Sequence, residues 1–236
     1  MLVVQIMKEV FKTFYGGLFK AIILNLIWFL LISPIVFLFV NGIYLDFFIP
    51  FMLPVLILGP IILTGLNLLN KIYQNEDFSL KGIFNTVKSS FFPGLLAIVY
   101  GIAVYLILII DIWFFYGRSE GNLLFLVLTA LFVYLTVFFS ITQLYFWGLL
   151  VHGKKLTLWT KIKRSFFLAV DNILQSFLWL AIVMAITGGF LYFTPIFPAL
   201  YFSITGLTII IGTDKFLNTY KENDYEKLMS NGKLSD

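Results

Sequence analysis

Long apolar stretches with few or no charges alternate along this chain with short polar connections. About 20 consecutive apolar residues are needed for a helix to cross a hydrocarbon core roughly 30 Å thick. Uninterrupted apolar runs favour helices over the alternating pattern of a transmembrane barrel. The pattern therefore predicts an all-α, polytopic membrane helix bundle with six transmembrane helices, at residues 19–40, 49–69, 94–116, 123–151, 170–193 and 196–211.

The second predicted span contains three prolines, Pro50, Pro54 and Pro60. Proline has no backbone N–H, so a helix through these positions leaves carbonyl groups that neighbouring helices or side chains must satisfy. We expect this span to be kinked at Gly59–Pro60.

Two of the polar connections carry apolar residues at helical spacing. Ser79 and Thr157 are candidate N-caps, and the apolar faces that follow them are Leu80, Ile83, Phe84, Val87 and Phe91, and Leu158, Ile162, Phe166 and Ala169. These segments predict two short amphipathic helices at the cytoplasmic interface. Within them, residues 87–92 (VKSSFF) resemble residues 162–167 (IKRSFF), which suggests a repeated unit.

The basic residues predict the orientation of the bundle. Fifteen of the sixteen Lys and Arg side chains lie near the amino terminus, in the second and fourth connections, or after the sixth span, and Arg118 is the exception. Because basic residues accumulate on the cytoplasmic side, both termini are predicted to be cytoplasmic. We expect one six-span transmembrane domain at 1–213 and a polar cytoplasmic tail at 214–236.

The composition agrees with a membrane protein and argues against most kinds of site chemistry. The chain is 61% hydrophobic and 12% charged, whereas charged residues make up about 25% of a soluble domain. It has no Cys and one His, which argues against disulfides, thiolate chemistry and the usual metal sites. No phosphate-binding loop, HExxH or Gly-x-Ser-x-Gly motif occurs. We expect no enzymatic activity, no cofactor, no metal and no nucleic-acid partner.

A few polar side chains lie inside the predicted spans, where exposure to lipid is costly. Four amides fall in or near the half closer to the cytoplasm: Asn25, Asn67, Gln143 and Gln175. They either join helices through hydrogen bonds or converge on a polar cavity that opens to the cytoplasm. Asp111, near the outer end of the third span, is either hydrated or paired with Arg118, or else belongs to a proton relay.

Basic side chains of the two amphipathic segments are candidate contacts with the surroundings. They are Lys81 and Lys88 in the first segment and Lys161 and Arg164 in the second. Such residues either dock a cytoplasmic partner or contact anionic lipid headgroups, and both interpretations stay open.

Two stretches of the chain resemble a known family. The first comprises residues 24–28 (LNLIW) and then two proline motifs, and its marker residues are Asn25, Trp28, Pro34, Gly59 and Pro60. The second is residues 163–169 (KRSFFLA). Together they resemble the YesL-like bacterial integral membrane proteins, known as domain of unknown function 624, over most of residues 10–212. The chain departs from that family in the long separation between Pro34 and Gly59.

The resemblance implies a location in the bacterial cytoplasmic (inner) membrane. It also implies an accessory role in carbohydrate uptake, because members of that family tend to be encoded beside ABC-type sugar transporters and glycoside-degrading enzymes. The expected partners are membrane lipids and the permease subunits of such a transporter. Two other roles stay open: an autonomous small-solute transporter or channel, and a lipid-handling membrane protein.

Overall fold

The computed structural model describes residues 2–40, 48–77, 79–120, 122–153, 155–192 and 197–221. These residues contain no strand and form eight helices: α1 Leu2–Gly16, α2 Leu18–Val40, α3 Phe48–Tyr73, α4 Leu80–Tyr116, α5 Leu123–His152, α6 Leu158–Asp171, α7 Ile173–Tyr192 and α8 Phe197–Lys221. The predicted all-α membrane bundle is confirmed. The two connections without basic residues lie almost wholly outside the described residues, as do residues 222–236 of the predicted tail.

Five of the described helices are long and apolar enough to cross a membrane: α3, α4, α5, α7 and α8. A sixth span is counted when α1 and α2 are taken together, although they meet at 92° around Gly17. By length and composition, the described part of the chain therefore holds five spans, or six if the bent pair counts as one. The prediction for the second span holds as far as its position, since α3 is helical through Pro54 and Pro60.

The centre of the bundle is formed by α3 and α8. Of their membrane-spanning residues, 50% and 61% are buried, against 11% for α4 and 17% for α5. Leu63, Leu66 and Leu69 of α3 and Leu207 and Ile210 of α8 are almost fully buried. Because lipid is as apolar as these side chains, their contribution comes from close packing rather than from removal of water.

The amino-terminal helix α1 is not predicted by the pattern of long apolar stretches. Its buried residues Val3, Ile6, Val10 and Phe14 recur at helical spacing. This face packs mainly on α8, and its bend from α2 turns α1 across the end of the bundle. The amino-terminal segment is therefore part of the fold rather than a loop before it.

The first predicted interfacial helix is wrong as a separate element. Ser79 is its N-cap, as predicted, and accepts a hydrogen bond of 3.2 Å from the backbone N–H of Gly82. The helix then continues through Pro93 to Tyr116 as α4. A proline is tolerated inside a membrane helix where neighbouring groups compensate for its missing N–H. The second segment is a separate short helix, α6, capped by Thr157 as predicted, and its location at the cytoplasmic interface stays a prediction.

The apolar face predicted for the first segment points largely outward, and that of the second is divided. In α4, Phe84 and Phe91 are exposed while Thr86 is buried, and in α6 Phe166 is exposed while Ala169 and Lys161 are buried. A helix at a membrane can turn apolar side chains to lipid. Its polar groups then find hydrogen-bonding partners inside the protein.

Helices α4 and α5 form a hairpin whose two halves differ in burial. In α5, most residues from Phe139 to Val151 are buried, whereas before Phe138 only Thr129 is. The corresponding part of α4 exposes large side chains such as Ile107 and Ile110. The half of the hairpin farther from the α3–α4 and α5–α6 connections therefore stands apart from the described bundle.

Helix α8 extends past the predicted domain boundary at residue 213 and ends at Lys221. Asp214 and Lys215 contact α1 and α3, so the first part of the predicted tail belongs to the bundle. We refer below to the end of the bundle that carries these residues and the α3–α4 and α5–α6 connections as the basic end.

Candidate functional site

A polar network joins three helices at the basic end. The Tyr73 hydroxyl of α3 lies 3.1 Å from Glu9 Oε1 of α1 and 3.2 Å from Asp214 Oδ2 of α8. Lys215 Nζ lies 2.6 Å from Glu9 Oε2, and Asn218 Nδ2 donates to Asp214 Oδ2 at 3.2 Å. A tyrosine carries one hydroxyl proton, so Tyr73 can donate to only one of the two carboxylates at a time. The network holds α1 against the bundle.

This network is not predicted from the sequence, because it depends on α1 and that helix is not predicted either. The spacing of Val3, Ile6, Val10 and Phe14 was the available signal, and it places Glu9 beside the buried face of an amphipathic helix. The pairing with α8 could not be read from the chain, since Glu9 and Lys215 lie at opposite ends of the sequence.

A second contact at the basic end joins α2 to the α3–α4 connection. Lys20 donates a hydrogen bond to the Asp77 carboxylate and forms an ion pair with it. The hydrogen bond and the positive charge of Lys20 lower the pKa of Asp77 from its ordinary value. Both side chains are well exposed, so the pair contributes little to stability.

Asn25 joins α2 to α8 inside the bundle. It is fully buried, and its Nδ2 donates to Ala21 O at 2.9 Å and to Ser203 Oγ at 2.6 Å. The Ser203 backbone N–H donates to Asn25 Oδ1 at 3.0 Å. One turn along α2, the Trp28 ring stacks on Phe202, with centroids 4.7 Å apart. Asn25 and Trp28 therefore attach α2 to α8.

Asn67 plays the same part between α3 and α4. Its Nδ2 donates to Leu63 O at 3.0 Å and to Ser90 Oγ at 3.1 Å. Lys71, one turn later, donates to Thr86 Oγ1 at 3.4 Å. The hydrogen-bonding interpretation of Asn25 and Asn67 is thus what the structure shows.

The remaining two candidate cavity residues have other surroundings. Gln143 of α5 is buried with Nε2 lacking a described partner, and Gln175 of α7 is exposed. No described hydrogen bond joins any of the four predicted amides to another. The predicted convergence on one cavity is wrong for Gln175, because the rotation of α7 turns that side chain away from the bundle.

Gly59 and Pro60, two of the residues on which the predicted resemblance rests, are buried where α3 crosses α4. A Cβ atom added to Gly59 would lie 2.1 Å from Gly94 O, and one added to Gly94 would lie 2.6 Å from Gly59 O. Only residues without a side chain allow two backbones to approach so closely. Pro34, the other motif proline, is exposed on α2. Whether α3 bends at Gly59–Pro60 stays a prediction.

The four basic candidates divide by exposure. Lys81 and Lys88 are exposed, Arg164 is partly buried, and Lys161 is only 7% exposed. Burial lowers the pKa of the Lys161 ammonium from its ordinary value. Lys161 is therefore unsuited to an outward contact, because α6 turns it toward the bundle and turns Lys163 outward instead.

Asp111 lacks the partner that was considered for it. Arg118 donates to Phe114 O at 3.4 Å and lies over the Phe114 ring at 3.7 Å, and no described ion pair joins it to Asp111. Asp111 is partly buried and makes no hydrogen bond to any described residue. It is thus a carboxylate of a spanning helix with nothing in the described chain to satisfy it.

Among the described residues, no three His, Asp or Glu side chains come together as metal ligands. His152, the one histidine, lies with Nε2 3.1 Å from Ile210 O, which joins the end of α5 to α8. In comparisons with known proteins, no family model, no curated protein and no solved structure matches this chain.

Proposed function

We propose that this protein is an accessory component of a membrane complex and assembles with the permease subunits of an ABC-type carbohydrate importer. The sequence resemblance to the YesL-like proteins supplies the class of partner and the bacterial inner membrane as the location. The observation that carries the accessory role is the exposed half of the α4–α5 hairpin with Asp111 on it.

A carboxylate in a spanning helix is costly unless another polar group satisfies it. Asp111 lies on α4 close to the exposed Ile107 and Ile110, on the half of the hairpin that the described bundle leaves uncovered. A hydroxyl, amide or basic side chain on a neighbouring protein's helix would give Asp111 its partner. The surrounding apolar side chains would pack against that same helix.

The interior of the bundle supports the same proposal. Asn25 and Asn67, the amides best placed for a solute path, already use their donors in bonds between helices. A path for a solute needs polar groups that are free to exchange their partners. These two amides stabilise a packed bundle instead.

The test is recovery of partners from native membranes in mild detergent, followed by mass spectrometry. We expect stoichiometric permease subunits with the tagged wild type and their loss with Asp111→Leu. Glu120→Gln, a change at an exposed acid beyond the end of α4, is the matched control and should keep the partners. Recovery of the wild type alone, or of equal partner amounts with Asp111→Leu, would contradict the accessory role.

One observation favours a transporter as the second candidate. Asn70 Oδ1 of α3 and Gln143 Nε2 of α5 are buried without a described hydrogen-bonding partner. Buried polar atoms of this kind ordinarily bind water or a ligand. Flux of a labelled sugar into liposomes that hold the purified protein alone, abolished by Gln143→Leu, would support this role instead.

A further inference from the structure

The two segments with similar sequence present the same side chains outward. Ser90 and Ser165 are 1% and 3% exposed, whereas Phe91 and Phe92 are 50% and 64% exposed and Phe166 and Phe167 are 51% and 55% exposed. Lys88 and Lys163, two residues before each serine, are also exposed. We name these groups, each a lysine with the two phenylalanines that follow it, the α4 patch and the α6 patch.

A buried serine lies behind each patch. Ser90 accepts a hydrogen bond of 3.1 Å from Asn67 of α3, which joins α4 to the bundle. Ser165 is buried together with Ala169, and its hydroxyl donates to Ile162 O within α6 at 2.7 Å. In both helices the serine faces the bundle and the phenylalanine pair faces away from the protein.

The α6 patch also lines a groove. Ile162, Lys163, Phe166 and Phe167 line an open, mostly apolar groove of about 400 Å³ on the surface of α6. Trp159 borders it, with its ring centroid 5.3 Å from Lys163 Nζ. An apolar groove with an ammonium group beside it, at the end of a membrane bundle, matches a lipid chain joined to a charged headgroup.

We propose that both patches bind anionic phospholipids of the surrounding membrane. The phenylalanine pair contacts the upper part of an acyl chain, and the lysine contacts the headgroup phosphate.

Charge complementarity selects an anionic lipid. From Lys154 to Asn172 the chain carries five basic residues and one acid, Asp171, and from Leu80 to Phe92 it carries Lys81 and Lys88 and no acid. Neither of the described ion pairs uses Lys88 or Lys163. Their ammonium groups are therefore available to a phosphate.

The absence of cysteine allows each patch to be measured separately. A fluorophore is attached to Val170→Cys, two turns after Lys163 on the exposed side of α6, or to Leu96→Cys, two turns after Lys88 on α4. The labelled full-length chain is placed in vesicles of phosphatidylcholine that contain spin-labelled phosphatidylglycerol or spin-labelled phosphatidylcholine. Stronger quenching by the anionic lipid measures preference for it at that patch.

We expect the anionic lipid to be preferred at both labels. Lys163→Gln should reduce the preference for anionic lipid about fivefold at the label on residue 170 and leave the preference at residue 96 unchanged. Lys88→Gln should reduce the preference at residue 96 and leave that at residue 170 unchanged. Lys155→Gln removes an exposed charge outside both patches and should change neither.

Two results would overturn the proposal. The first is equal quenching by the two lipids in the unsubstituted chain. That result would show that the patches do not select anionic lipid and instead contact a protein partner or lipid of any kind. The second is an equal loss with Lys155→Gln and Lys163→Gln, which would show attraction to the overall charge of the segment. Neither result bears on the copurification test of the accessory role, which concerns Asp111.

Discussion

The central helices α3 and α8 and the peripheral hairpin α4–α5 are all long enough to span a membrane, yet they use their apolar residues differently. The central pair buries half or more of its spanning residues, whereas the hairpin buries fewer than one in five. The central spans also have a lower mean hydropathy than the two helices of the hairpin. In lipid, high hydropathy indicates contact with the membrane, and the helices that contact one another carry more small and polar residues.

The largest expected effect comes from truncating one large aliphatic side chain in each region. Leu66→Ala on α3 removes a side chain that is 1% exposed, and Ile107→Ala on α4 removes one that is 61% exposed. We expect Leu66→Ala to lower the free energy of unfolding by about 2 kcal/mol or more, because it leaves a cavity. Ile107→Ala should cost less than about 0.5 kcal/mol. Unfolding of the purified protein by a denaturing detergent measures both, and equal costs would show that the hairpin is packed after all.

The crossing of α3 and α4 at Gly59 and Gly94 tests where the hairpin is attached. A Cβ at Gly59 would meet Gly94 O at 2.1 Å, so Gly59→Ala should destabilise the protein by about 1 to 3 kcal/mol. Gly188→Ala on α7 is the matched control, because no atom lies within 4 Å of the added Cβ. The comparison is made by thermal unfolding in detergent. A Gly59→Ala midpoint equal to that of the control would contradict the close approach.

Replacement of Asn25 tests the polar contacts of the central region. Asn25→Leu removes the bonds to Ala21 and Ser203 and should cost about 1 to 2 kcal/mol. Asn85→Leu, at an exposed position of α4, should have almost no effect. Ser203→Ala should add little once Asn25 is changed, and additive losses would show that the two residues do not act together.

The smallest expected effect concerns the exposed ion pair of Lys20 and Asp77. Its partner lowers the pKa of Asp77 below the ordinary value of 3.8. The stabilisation is therefore present above about pH 4 and is lost as the pH falls through the lower pKa of the folded protein. Asp77→Asn should shift the thermal midpoint slightly at pH 7 and by less at pH 3. An equal shift at both values would point to a cause other than the charge.

Sequence reasoning located the spans well because apolar stretches of membrane length leave few alternatives. The N-caps Ser79 and Thr157 were also predictable, since capping depends on side chains within a few residues. The continuity of α4 was not, because Pro93 usually ends a helix in water, and only the surroundings allow it to continue here.

The candidate site was harder to predict because it depends on helix rotation and on distant pairing. Sequence reasoning chose Lys161 and not Lys163 as a candidate for an outward contact, whereas the packing of α6 buries Lys161 and exposes Lys163. The partner of Asn25 lies 178 residues away, and no local pattern connects them. Pairings of this kind follow from how whole helices pack.

The continuity of α4 puts two surfaces of the protein on one helix. At 1.5 Å per residue, Lys88 lies about 9 Å along the axis from Gly94 in one direction, and Asp111 lies about 25 Å from it in the other. The α4 patch and the uncovered half of the hairpin are therefore parts of the same element. A shift of α4 along its own axis would move both surfaces together.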